Sequence, residues 1–431
     1  MVLINVVEVG AMQEPNHLFL ADVGQGRLTE LLVEGEGFFA PWWAWAPDGR
    51  QLAYLAPARR GGDYELWLAR ADVRAPSART PLLSLNLNVR AADWHPGRNF
   101  IGLTLAGVAG RPGLYILNAD TDYLVLLAQD RPAADGLLDW SGEGDWMAYT
   151  DEDEALKMIN AETAAIVELW GEGPARYLPR ASTGWLDADR WYVFRAGPAG
   201  SPTAISTDGR GRLQELPADF ALDPEALRLS PGGKWIFSLE ESQILAYDLA
   251  GQESLNFTPP PGLIFSPSYF AGGDFANEQG VLFINAYLRL GEADFAECLI
   301  FDPQSGEFQF MREALNQAAW GHSWCQLLEG GGHVAVMGTN RLEPVDQLSD
   351  DLAYDLWIVG ADLRRQSFIT GDYAGFALSE LGFSARQALV IFPQGEALMV
   401  YNMAGEGREL VKIRDLNLEG RPLRFSYDWQ P

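Results

Sequence analysis

Apolar residues along this chain come in short runs that alternate with polar ones, and each run stops at a cluster of Gly, Pro, Asn or Asp. Such runs read as β-strands bounded by turns. The clearest stretch runs from Phe39 to Leu83. An aromatic strand ends at Ala46-Pro47-Asp48-Gly49, a second strand covers Gln51 to Leu55, and a third covers Tyr64 to Ala69 with Leu66 and Trp67. Ala71-Asp72 opens the next turn, and a short fourth strand follows. Four antiparallel strands in a stretch of this length make one blade of a β-propeller.

The same grammar returns down the chain. Asp93-Trp94-His95-Pro96-Gly97 precedes Phe100 to Leu103 and then Leu114 to Asp120. Asp139-Trp140-Ser141-Gly142 precedes Trp146 to Tyr149 and then Leu156 to Ala161. Trp185 to Asp189 precedes Trp191 to Phe194, in the weakest of the repeats. Leu229-Ser230-Pro231-Gly232-Gly233 precedes Trp235 to Ser238 and then Ile244 to Asp248. Three later repeats are more decorated. One begins at Phe265-Ser266-Pro267 and continues through Val281 to Asn285 and Cys298 to Asp302. Another has Cys325 to Leu328, His333 to Met337 and Tyr354 to Val359. The last has Phe376 to Leu381, Ala388 to Phe392 and Ala397 to Tyr401.

The two ends complete each other. Phe425-Ser426-Tyr427-Asp428-Trp429 matches the first-strand motif, while Leu3 to Val9, His17 to Asp22 and Arg27 to Leu32 read as second, third and fourth strands. One blade is therefore shared between about residues 1–35 and 418–431, which removes an exposed sheet edge. The expectation is one all-β domain over 1–431, a single propeller of nine four-stranded blades, with eight as the alternative count. A twisted sheet hides one face at a time, so stacking sheets face to face is what buries the rest. On that logic Trp67, Trp146, Trp191, Trp235 and Trp357 are packing residues.

Composition narrows the function classes. The chain has 431 residues, 48% of them hydrophobic, with 15 Trp, so it can build a core. The net charge is −28 and the only lysines are Lys157, Lys234 and Lys412. Phosphate backbones and anionic lipid need a basic surface, so nucleic acid is excluded as a partner and anionic membrane is disfavoured. No apolar run reaches the ~20 residues that span a bilayer, so membrane insertion is not expected. The first residues carry no basic leader with an apolar core, which places the expectation in the cytoplasm, although an exported mature chain would read the same. Cys298 and Cys325 fall in neighbouring repeats; the sequence leaves a disulfide between them open and excludes a disulfide framework.

Candidate chemistry is sparse. The histidines are His17, His95, His322 and His333, with His322 and His333 flanking one strand near its opposite ends, which does not make a metal centre. Acidic turns at Asp151 to Glu154, at Asp187 and Asp189, and at Asp346 to Asp355 would admit calcium, though none has an EF-hand spacing. No cofactor is otherwise implied: dinucleotide and phosphate-loop motifs are missing. Asn256-Phe257-Thr258 is a formal glycosylation sequon, but it falls in a predicted strand.

Loop length is more informative. Second-to-third-strand loops and blade-to-blade connections share one face of a propeller, and short turns such as Pro47-Asp48-Gly49 share the other. The first face should carry Arg59 to Asp63, Ala106 to Pro112, Tyr287 to Asp294, a short helix at Arg312 to Gln317, and Thr339 to Leu352. Long loops on a rigid scaffold are where binding usually resides. The contact residues expected there are Arg59, Arg60, Tyr287, Arg289, Trp320, Arg341, Asp350 and Asp351.

Trp45-Ala46-Pro47-Asp48-Gly49, Leu52-Ala53-Tyr54 and Leu66-Trp67 resemble the TolB-type, WD40-like propeller repeat, and fainter matches cover nearly the whole chain. The resemblance implies fold. Propellers of this type occur as periplasmic scaffolds, as gating domains of oligopeptidases and in sensors. The chain has neither the α/β domain of TolB nor a Gly-x-Ser-x-Gly elbow. Two readings follow. The first is a non-enzymatic binding or scaffold module that presents its decorated face to a protein or peptide. The alternative is a hydrolase or lyase acting on a saccharide or peptide at a carboxylate-lined axial pocket.

Overall fold

The computed structural model describes residues 1–8, 16–31, 42–57, 64–70, 80–81, 89–108, 111–131, 133, 137–153, 155–170, 183–185, 190–196, 202–208, 213–215, 227–230, 234–240, 242–249, 253–265, 276–277, 279–328, 331–348, 352–373, 378–416 and 423–429. Among the described residues 36 strands form seven four-stranded sheets and one eight-stranded sheet, with antiparallel pairing throughout the described ladders. Among the described residues helix is confined to one α-turn, Met311–Ala314, and 3₁₀ turns at Val345–Gln347, Leu378–Glu380 and Ile413–Leu416. The α-turn lies where Arg312–Gln317 was expected, one residue earlier. The eight-stranded sheet is two four-stranded groups, 43–81 and 89–128, joined by the single residue pair Tyr64 with Val89.

The first sheet contains both chain ends. Its order is Arg27–Glu30, Asn16–Asp22, Val2–Glu8, Leu423–Trp429. Val2 pairs with Trp429 and Val7 with Arg424, so the tail supplies the strand beside the head, as the repeat pattern requires. Asn5 adds a side-chain bond, its amide donating to Ser426 Oγ at 3.1 Å.

A relay of tryptophans then links successive first strands. Trp45 Nε1 donates to the Asp428 carbonyl (3.1 Å), Trp94 Nε1 to Ala44 (2.9 Å) and Trp140 Nε1 to Asp93 (3.1 Å). Each indole reaches the residue just before the tryptophan of the preceding sheet. A buried indole N–H needs an acceptor, and the repeat provides one at a constant offset. Gly102 makes room for this: a Cβ there would lie 2.7 Å from Met147 Sδ and 3.0 Å from Trp140 Nε1.

Short turns recur between first and second strands. Ser141 Oγ accepts the Trp146 N–H and Ser230 Oγ accepts the Trp235 N–H, which closes each turn with a side chain. That edge is not uniformly plain, however. In the 263–310 sheet the first strand ends at Phe265 and the second begins at Leu282, so the connection covers 266–281. Only its last part is described, where Asn277 Oδ1 accepts the Gln279 and Val281 N–H groups.

The chain divides into two compact units. One comprises Met1–Arg195, Ala204–Leu216 and Glu419–Pro431, and the other comprises Ala196–Thr203 and Pro217–Leu418. In the first unit Leu3, Leu18 and Leu20 pack with Trp45, Leu52 and Tyr54 of the next sheet. In the second, Phe283, Cys298 and Ile300 pack against Cys325, Val334 and Val336, while Ala335, Met337 and Leu356 pack against Val390 and Phe392. His333–Thr339 is thus apolar on both sides, because each side meets a different sheet. Fully burying such side chains is worth ~1.5–3 kcal/mol each, which is what holds the stack.

Candidate functional site

The decorated edge of the second unit is built from a long hairpin and a long loop. The hairpin is Leu282–Leu290 with Ala293–Asp302, and its ladder runs unbroken to the pair Leu290 with Ala293. Tyr287–Asp294, expected as a loop, is therefore strand, and only Gly291 and Glu292 turn the chain. Gly291 has φ +69°, a conformation that glycine adopts without cost. The missed signal is charge pairing across the ladder. Arg289 and Asp294 face each other, with Nε to Oδ1 at 2.8 Å and Nη2 to Oδ2 at 3.0 Å. That fork holds the Asp294 carboxyl below its usual range.

The loop leaves the next sheet after Thr339 and returns at Tyr354; residues 349–351 lie outside the described ones. It carries exposed Arg341, Leu342 and Glu343 and the 3₁₀ turn Val345–Gln347. Gly321 lies against its backbone, because the Arg341 carbonyl occupies the place where a Cβ would stand.

His322 ties loop to hairpin. The side chain is fully buried. Its Nδ1 accepts the Ala296 N–H (3.1 Å) and its Nε2 lies 2.8 Å from the Glu343 carbonyl. An acceptor at Nδ1 leaves the proton on Nε2, so Nε2 donates to Glu343. Burial holds the imidazole below the usual histidine range, which keeps it neutral and suited to this bridge. Phe295 and Trp324 stack near its ring, at centroid distances of 5.5 and 5.6 Å.

The reason for this arrangement is a short fourth strand. Glu307–Phe310 pairs only with Leu299 to Asp302. The N–H groups of Ala296 and Cys298, further along the same edge, would be left bare. His322 Nδ1 takes the first and Ser323 Oγ takes the second at 2.9 Å. Ser323 in turn donates to Glu297 Oε2 at 3.3 Å, and Arg312 Nη2 sits 2.9 Å from Glu297 Oε1. Burial pushes the Glu297 carboxyl up to about 7, against the pull of Arg312. Asn285 completes the joint: its Oδ1 accepts the Cys325 N–H and its Nδ2 donates to the Cys325 carbonyl, each at 2.8 Å. Beside it Cys298 and Cys325 form a disulfide between the two sheets.

Ser323, His322 and Glu297 bring together the residue types of a nucleophile set, but their bonds are those of a joint. Both ring nitrogens of His322 are used on backbone, Ser323 bonds Cys298 and Glu297, and all three side chains are buried. Among the described residues no group of three or more His, Cys, Asp or Glu is placed to hold a metal ion. The acidic turn at Asp151 is likewise a cap. Its Oδ1 accepts the Asp153 and Ala155 N–H groups, and Lys157 Nζ lies 2.7 Å from its Oδ2 and 3.0 Å from Asp130 Oδ2.

Of the expected contact residues, Arg289 and Arg341 stand exposed on this edge, and Arg341 lies 4.0 Å from Glu343. Tyr287 is half-buried in its strand. Trp320 is 3% exposed; its indole packs on Gly338 and donates to Asp355 Oδ2 at 3.1 Å, so it belongs to the core. Its place just before a first strand made it resemble a surface loop residue in the sequence. Arg59, Arg60, Asp350 and Asp351 lie outside the described residues. The exposed residues that sequence reasoning passed over are Leu290 (59%) and Leu342 (72%), each next to a chosen arginine. Among the described residues no helix is long and apolar enough to cross a membrane.

No protein-family model matches the sequence, and no curated protein matches it. Solved structures do. Dipeptidyl peptidase 4 of Porphyromonas gingivalis is 9% identical with a TM-score of 0.54, over 89% of this chain and 61% of that one. The chain thus spans less than two thirds of the peptidase's own length. A putative TolB from Agrobacterium tumefaciens is 13% identical (TM-score 0.34, 60% of this chain and 89% of that one). The WD40 domain of SCAP from fission yeast is 12% identical (TM-score 0.38, 89% and 99%). At such identities likeness speaks to fold alone, and the fold is that of the all-β propellers built from four-stranded antiparallel sheets.

Proposed function

We propose that this chain is a non-enzymatic binding module and that a protein or peptide docks on the edge formed by the 282–302 hairpin and the 340–348 loop. The observation that carries this is the pair Leu290 and Leu342, large aliphatic side chains at 59% and 72% exposure, the first at the tip of the hairpin and the second in the adjoining loop. Single exposed apolar side chains are common on protein surfaces, but two of them on neighbouring projecting segments are suited to an interface. Their backbone support is stiff: the ladder behind Leu290 is continuous, and His322 pins the loop beside Leu342. A preordered surface loses less entropy on association. The propeller neighbours include peptidases as well as WD40 and TolB proteins, so the reading rests on this edge and not on them.

The test is affinity capture from the native organism with the wild-type chain and with Leu290→Ser/Leu342→Ser, followed by mass spectrometry. The double variant is expected to lose partners that Tyr123→Ser, an outer-strand control, keeps. An unchanged partner list would overturn the proposal.

A further inference from the structure

We infer that the segment seated on this edge is basic as well as apolar: a leucine-containing stretch of another protein with Lys or Arg between its apolar residues. The inference rests on the docking reading above and adds the partner's chemistry.

The argument is charge. The exposed arginines of the hairpin and the loop already stand beside carboxylates, Arg289 with Asp294 and Arg341 with Glu343, and half-buried Arg312 faces Glu297. Each offers little net positive field to a visitor. Glu292, Glu313 and Asp346 are exposed on or beside the same edge in addition. Glu292 follows Leu290 by two residues, and Asp346 lies in the turn just after Leu342, so both apolar side chains stand in negative surroundings. A surface of this kind attracts a cationic segment and repels an anionic one; single surface pairs contribute little, but the summed field sets encounter rate and register. A second copy of the chain is a poor occupant, since each copy carries a net charge of −28.

The experiment uses the full chain and three fluorescent synthetic peptides that share one pattern of leucines, with Lys/Arg, Ser/Gln or Asp/Glu at every other position. Fluorescence anisotropy is followed at low and at physiological salt. The basic peptide is expected to bind at least about tenfold tighter than either of the others, with affinity falling as salt rises. Leu290→Ser and Leu342→Ser should each weaken it by about tenfold. Glu292→Lys/Asp346→Lys should weaken it while flattening the salt dependence. Two results would overturn the inference: equal affinity for the three peptides, or basic-peptide binding that the leucine substitutions leave unchanged, which is diffuse attraction to an acidic protein. Tightest binding of the neutral or acidic peptide, still lost on Leu→Ser, would remove the basic partner while leaving the docking edge in place. Binding of no peptide would also overturn it, and the capture experiment would continue to judge the edge itself.

Discussion

Trp45 donates its indole N–H to the main-chain carbonyl of Asp428, 383 residues further along the chain. The contact does two things. It satisfies a buried donor, and it ties the second repeat to the strand that the tail contributes to the first sheet. The same relation recurs from Trp94 to Ala44 and from Trp140 to Asp93. Trp45→Phe keeps an aromatic ring but leaves the Asp428 carbonyl without this donor. The expected loss is ~1–3 kcal/mol, read as a lower urea midpoint.

The disulfide between Cys298 and Cys325 closes a stretch with a sequence separation of 27. A cross-link of that length restrains the unfolded chain by roughly 3.5 kcal/mol. Cys298→Ser/Cys325→Ser, or reduction in denaturant followed by refolding in reductant, should lower stability by about that amount. Thiol counting on the unfolded wild-type chain checks the premise: titratable thiols before reduction would contradict the bond.

Glu297 titrates against the usual direction for a carboxyl with an arginine beside it, because burial outweighs Arg312 and pushes it up to about 7 from a usual 4.5. A group whose value is raised on folding holds its proton more tightly in the native state. It therefore favours the fold at low pH, and that advantage is lost as pH rises from about 4.5 to about 7. Glu297→Gln has no such proton. Relative to the variant, the wild type should lose a few kcal/mol between about pH 4 and pH 8 in chemical denaturation. Parallel stability curves would contradict the assignment.

His322 works with the opposite sign. Burial lowers its value, so the stability it contributes is present above the usual 6.5 and is lost as pH falls through its native value. Protonation places a hydrogen on Nδ1, where Ala296 already donates. Glu343, whose carbonyl takes the other ring nitrogen, pulls the value back up, and Glu297 and Arg312 lie in the same joint. Amide exchange at Ala296 and across 340–348, corrected for its intrinsic rate, is expected to speed up between about pH 7.5 and pH 5.5 in the wild type. In His322→Phe it should be fast at both, with no pH step.

Much of the architecture is legible without coordinates. The Asp-Trp and Ser-Gly or Ser-Pro signals marked first strands and turns, and the motif around Trp429 announced that the tail would pair with the head. The candidate site was legible only in part. Arg289 and Arg341 were named from loop length, and they do stand exposed; their neighbours Leu290 and Leu342 were not, because nothing local separates a loop leucine that stays exposed from one that turns inward. Trp320 went the other way, since nothing local to it reveals that Gly338 leaves a space for an indole.

By itself the order of residues determined that strands form, where they turn, and that sheets with two apolar sides must stack, because alternation and turn chemistry act over a few neighbours. Only the tertiary structure decided which side chain satisfies which backbone group across sheets. That His322 and Ser323 replace a missing stretch of strand, and that Cys298 meets Cys325, depends on how far the fourth strand reaches before the chain turns away. Such choices are made by packing between segments distant in sequence, and no local pattern carries them.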